Sequence, residues 1–137
     1  MQPDVGATPG RAEAPGRQRW VVRAALALVL VGVFSTWLVD GAVTLNGTEG
    51  PNDGWLVAIL AVLGFGWARM VERGSWVGVA GLVSVAIVMG WTALGDWLDS
   101  RDTVAASAGH GLLLVVVGSA VLGATAVVCG VRLHRSA

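Results

Sequence analysis

Two stretches of this chain, Trp76–Leu94 and Gly111–Val131, contain no charged side chain. A helix needs about 20 apolar residues, and about 17 at the least, to cross roughly 30 Å of hydrocarbon. Both stretches meet that length. So do Trp20–Val39, broken by Arg23, Gly32, Ser35 and Thr36, and Trp55–Val71, with Arg69 near its end. A buried strand is far shorter, and a lipid-exposed span must satisfy its own backbone hydrogen bonds. The runs predict four transmembrane α-helices over 20–39, 55–71, 76–94 and 111–131. The fold expected is all-α, an integral membrane up-down four-helix transmembrane bundle.

Composition supports this reading. Of 137 residues, 55% are hydrophobic and 13% charged, with mean hydropathy +0.71. A soluble domain carries about 25% charged residues. This chain has too little polar surface to coat a globule, which excludes a disordered chain, a nucleic-acid binder and an ordinary cytosolic enzyme. All nine basic residues are Arg. With abundant Ala, Val and Gly, that bias points to high-GC bacterial coding. Residues 1–19, rich in Pro, Gly, Ala and Arg, read as a disordered tail. Residues 20–131 form the transmembrane domain, and 132–137 a second tail. The first run has the basic front of a signal peptide. Its apolar body exceeds the usual 7–15 residues or so, and no A-x-A cleavage site follows, so it is read as an uncleaved helix.

Charge sets the orientation. Arg11, Arg17, Arg19, Arg23, Arg69, Arg73, Arg132 and Arg135 share one face with three acids, a net +5. The other face holds Arg101 and six acids (Asp40, Glu49, Asp53, Asp96, Asp99, Asp102), a net −5. By the positive-inside rule both termini are cytoplasmic. Trp20, Trp67 and Trp76 fall at the inner interface. Trp37, Trp55, Trp91 and Trp97 fall at or near the outer one, where indoles anchor at headgroup level.

Turn signals fill in the connections. Gly74 is placed to end helix 2 in the left-handed conformation, and Ser75 to cap helix 3. In the first outer loop Val43-Thr44-Leu45 suits an extended strand, Asn46-Gly47 is a turn dipeptide, and Asn52 or Asp53 is placed to N-cap helix 2. In the second, Asp96-Trp97-Leu98-Asp99 suggests a short interfacial helix. Small residues predict a tapered bundle. Gly74, Gly78 and Gly81 of helix 3 and Ser119, Gly123, Ala126 and Gly130 of helix 4 form facing stripes in the cytoplasmic half. Ala24, Ala25, Ala27, Gly64, Gly66 and Ala68 lie at the same depth. Bulkier Phe34, Trp37, Leu60, Ile87, Trp91 and Leu112–Leu114 occupy a looser outer half.

Chemistry-bearing residues are sparse. Cys129, the single cysteine, excludes an internal disulfide and a C-x-x-C pair. His110 and His134 make no zinc site without carboxylates from elsewhere. Ser35, Ser84 and Ser119 have no base at comparable depth, so no serine nucleophile is assigned. No Asp, Glu or His lies deep in any span, where coupled transporters usually carry one; Arg23 and Arg69 snorkel from the inner ends. The outer carboxylates match no calcium-loop spacing. No catalytic, cofactor or metal residue is assigned, and no cofactor is expected.

The outer-loop wording Leu45-Asn46-Gly47-x-x-Gly50-Pro51-Asn52-Asp53-Gly54-Trp55, between the first two of four short spans, resembles small four-span membrane proteins of actinobacteria. The resemblance implies the topology and supplies no catalytic residue. The expected function is that of a non-enzymatic, multi-pass protein of the bacterial plasma membrane, an accessory, assembly or interaction subunit. The partners expected are the lipid bilayer and another membrane protein or a second copy, with no nucleic acid. The alternatives are a small oligomeric transporter or channel, and an outer-face sensor of cations or envelope stress.

Overall fold

A computed structural model describes residues 14–49, 53–102 and 106–136. In chain order the elements are α1 (Ala14–Phe34), β1 (Thr36–Asp40), β2 (Val43–Asn46), α2 (Gly54–Glu72), α3 (Trp76–Asp102), β3 (Ala106–Ala108) and α4 (His110–Ser136). Each helix packs against its neighbours in sequence, and α1 also packs against α4, so the four helices close a ring. The strands gather at one end of the ring, called the sheet end. The start of α1, the α2–α3 turn and the end of α4 meet at the other, called the terminal end.

The core is a column of fully buried side chains from all four helices, among them Leu26, Val29, Val57, Leu82, Met89 and Leu122. The opposite helix faces are also apolar: Val31, Ile59, Leu63, Ile87 and Val127 are exposed. An apolar coat of this extent marks a surface built for something other than water. Three helices are long and apolar enough to cross a membrane: Gly54–Glu72, Trp76–Ser100 and His110–Arg135. α1 carries Arg17, Arg19 and Arg23 in its first turns and stops at Phe34, which leaves a shorter uncharged segment.

Where the first apolar run was expected to stay helical to Val39, the helix ends at Phe34 and residues 36–40 form β1. Apolar runs of this length do not separate helix from strand by themselves, and Thr36-Trp37-Leu38-Val39 is rich in strand formers. β1 is the central strand of an antiparallel sheet ordered β2-β1-β3. Asp40 pairs with Val43 across the two-residue turn Gly41-Ala42, and Gly41 has φ +57°. A type II′ turn needs positive φ at that first central position, which glycine adopts without penalty. Val39 pairs with Ser107 on the other side. The helical framework is therefore joined by a small sheet that the all-α reading lacked, although Val43–Leu45 is extended as expected.

Other boundaries also moved. α1 begins at Ala14, inside the expected tail. α4 continues to Ser136 and takes in most of the expected C-terminal tail. α3 runs unbroken to Asp102, so Asp96–Asp99 belongs to that long helix and forms no separate interfacial one. No helix breaker stands between Leu94 and Asp102 except Gly95, and a single glycine costs only about 1 kcal/mol in a helix. In the turn between α2 and α3, Gly74 takes the expected left-handed conformation. Gly74 has φ +78°, and the Arg73, Gly74 and Ser75 amides donate back to the Met70 and Val71 carbonyls.

Candidate functional site

The two ends of the bundle are built differently, and the residues that distinguish them are the candidates for function. At the sheet end the organising side chain is Trp37. It is fully buried, at 0% exposure, and its indole N–H donates to the Gly32 carbonyl at 2.8 Å. Gly32 lies in the last turn of α1, where carbonyls lack intrahelical partners. The Ser35 amide donates to the same oxygen at 3.1 Å. Trp37 thus closes α1 and roots β1 in one move.

Glycines make the slot for the indole. A Cβ at Gly47 would fall inside the Trp37 ring, and one at Gly111 would meet both the ring and the Gly32 carbonyl. A Cβ at Gly54 would collide with the Gly47 backbone, and one at Gly109 with Thr36. Backbone hydrogen bonds sew the same pieces together: Gly47 N–H to Val33 O at 2.9 Å, Gly54 N–H to Gly47 O at 3.0 Å, and Gly109 N–H to Trp37 O at 2.7 Å. The turn after β2 is held by Asn46, whose Oδ1 accepts from the Thr48 amide at 2.9 Å and the Thr48 hydroxyl at 2.7 Å. Glu49 closes it by accepting from the Asn46 amide at 3.0 Å.

Trp37 was expected at the outer interface as an anchor. It is instead a core residue, because its own N–H finds an acceptor inside and two glycines, Gly47 and Gly111, give the ring room. The other indoles behave differently. Trp20, Trp55, Trp76 and Trp91 are exposed, the last to 77%. Trp67 and Trp97 are half-buried against the core.

At the terminal end the feature is a cavity of about 460 Å³, walled by all four helices. Its lining is mostly apolar, with Val22, Val71 and Leu133 on the sides and Leu82 fully buried among the lining residues. Arg19, Glu72 and Arg132 are its charged members. The Arg23 guanidinium donates to Glu72 Oε1 at 3.0 Å, and Arg19 Nε lies 3.8 Å from Oε2. Glu72 thus ties α1 to the end of α2. Cys129 is buried and forms part of the cavity wall.

The small-residue stripes do not all face where expected. Gly78 and Gly81 do not face α4: a Cβ at either would strike Met70 and Val71, or the Trp67 ring, of α2. The α4 stripe does face α3, with Gly123 against Ala86 and Gly130 against Val79 and Trp76. Glycine in the terminal half is used up along helix seams, and the axis there stays open. At the sheet end, Gly32, Gly47, Gly54, Gly109 and Gly111 bring segments from different elements close together, while Gly78 meets the α2 backbone at Met70 and Val71 in the terminal half.

The remaining polar residues have local roles. The Ser35 and Ser119 hydroxyls donate to the Val31 and Val115 carbonyls of their own helices, each at 2.7 Å. His110 is exposed at the start of α4. Asp53 occupies the N-cap position of α2 but makes no side-chain capping hydrogen bond. Its expected role passes to the Gly47 carbonyl, which takes the Gly54 amide, and to its own carbonyl, which takes the Val57 amide. The expected alternative cap, Asn52, lies outside the described residues. Asp53 and Asp99 lie within electrostatic reach of Asp96, whose Oδ2 is buried without a hydrogen-bond partner among the described residues. No three His, Cys, Asp or Glu among the described residues are grouped to hold a metal ion.

No known protein family, no curated protein and no solved structure matches this chain.

Proposed function

We propose that this chain is a non-enzymatic integral protein of a bacterial plasma membrane, crossing the bilayer four times with both termini in the cytoplasm. It acts through contacts, as an accessory or assembly subunit that presents the sheet end outside the cell. The residues of the outer loop resemble those of actinobacterial four-span proteins, which favours that setting. Two arrangements support the topology. Charges separate between the ends, with Arg17, Arg19, Arg23, Arg73, Arg132 and Arg135 toward the termini and Asp40, Glu49 and Asp53 toward the sheet. α1 sits in the ring between α2 and α4 and exposes Val21, Val31 and Phe34, as a lipid-facing helix does.

The observation that carries the contact role is the sheet rooted by Trp37. Interaction surfaces gain affinity from being ordered before the partner arrives. A sheet pinned to the bundle by a buried indole and interlocked glycines is ordered in that sense. Val43, at 59% exposure on β2, is its exposed apolar residue. Reporter fusions test the topology. Periplasm-active reporters after Gly50 and Ser100 are expected to be active, and those at Gly74 and Ala137 inactive; the reverse pattern rejects the orientation. For the contact role, a photo-crosslinking residue at Val43 in the native host is expected to yield one discrete adduct, while the same residue at Ile59 on α2 yields lipid adducts only. Equal patterns at both positions reject the sheet as the contact surface.

A further inference from the structure

We propose that the cavity at the terminal end is a binding site for a single-chain anionic amphiphile, a long-chain fatty carboxylate, with its tail on the bundle axis and its head at the arginine mouth. The volume, about 460 Å³, lies within the roughly 300–1,000 Å³ of small-molecule sites. The site has the make-up such ligands need: a predominantly apolar wall and a few polar groups at one end. Leu82 belongs to the buried core, so this chamber is a place to hold an apolar tail and not a path through the bundle.

Charge complementarity selects the head. Arg19 and Arg132 line the cavity, and Glu72, the acid among the lining residues, is shared between Arg23 at 3.0 Å and Arg19 at 3.8 Å. Around them, the described residues of this end carry seven arginines (17, 19, 23, 69, 73, 132 and 135) against Glu72. A carboxylate arriving there meets a positive field at the edge of an apolar chamber, where electrostatic attraction is stronger than in bulk water. Guanidinium groups also match the planar carboxylate by paired hydrogen bonds. A single tail fits better than two. The walls come from all four helices, so the cavity lies on the axis, away from the outer faces where a second tail would run.

Cys129 supplies a site-specific reporter, because it is the chain's single cysteine and lies in the wall. The full-length protein in phosphatidylcholine nanodiscs is treated with N-ethylmaleimide, with and without oleate. At oleate concentrations about ten times the dissociation constant, the unoccupied fraction, and with it the alkylation rate, is expected to fall about tenfold. Monoolein, with the same tail and no charge, is expected to protect much less. The double variant Arg19→Gln/Arg132→Gln is expected to lose most of the oleate protection. No protection by oleate overturns the site, and equal protection by monoolein overturns the role of the arginines. If the double variant does not fold, the oleate–monoolein comparison on the native chain still decides. The inference rests on the bundle and not on its orientation, so the reporter fusions can fail while this assay succeeds, and the reverse.

Discussion

The sheet end and the terminal end share the same four helices yet are closed by opposite means. At the sheet end, segments far apart in the chain approach until backbone touches backbone, and one large side chain fills what is left. At the terminal end, the side chains of all four helices stop short of the axis and leave a chamber edged by charge. Glycine is frequent at both ends. It lets the bundle close around Trp37 where it faces the indole, as Gly47 and Gly111 do. Gly78 and Gly81 serve the α2–α3 seam and leave the axis open. Small residues therefore permit close packing without saying which neighbour is approached.

The sharpest way to break the comparison is to remove its keystone. Trp37→Ala is expected to cost about 3–5 kcal/mol, as truncation of a buried aromatic does, and also leaves the Gly32 carbonyl without the indole donor. Unfolding in detergent or nanodiscs measures it. A loss below about 1 kcal/mol would mean that the sheet end is not held through this residue. A paired experiment sharpens the contrast between full and empty space. Gly47→Ala places a Cβ inside the indole and is expected to cost about 1–3 kcal/mol by overpacking. Val71→Ile adds a similar increment facing the terminal cavity and is expected to stay within about 0.5 kcal/mol of wild type. Equal losses would erase the distinction between the ends. The smallest effect is expected at Asp53. Since its side chain makes no capping bond, Asp53→Ala should cost less than the roughly 0.5–2 kcal/mol of a true cap, and a full capping loss would restore the role the sequence suggested.

Much of the framework was legible in the residues. α2 differs from its expected range by one residue at each end, and the Gly74 turn has the predicted left-handed glycine. These features are local: a hydrophobic run bounded by turn chemistry reports on itself. The end of α1 was not legible, because Trp37-Leu38-Val39 is equally apolar as helix or strand. The strand wins through pairing with residues 43–46 and 106–108. The slot for Trp37 is assembled from glycines at 47 and 111 and the carbonyl of Gly32, whose separation in sequence carries no periodic signal. The candidate cavity was hidden for the same reason. Arg19, Glu72, Leu82 and Cys129 look like snorkelling, turn and packing residues until the ring brings them around one space.

The sequence by itself determined that this chain seeks an apolar environment, that it carries four long helices, which ends are basic or acidic, and the left-handed glycine where α2 turns into α3. Each of these follows from local composition, whose energetic consequence does not depend on distant neighbours. The tertiary structure decided that Trp37 is core and not anchor, that a sheet caps one end, that the α3 glycines face α2, and that the open space lies at the arginine end. Those outcomes depend on which surfaces meet. Contact between segments far apart in the chain is set by the simultaneous fit of all four helices, a property no single window of residues contains.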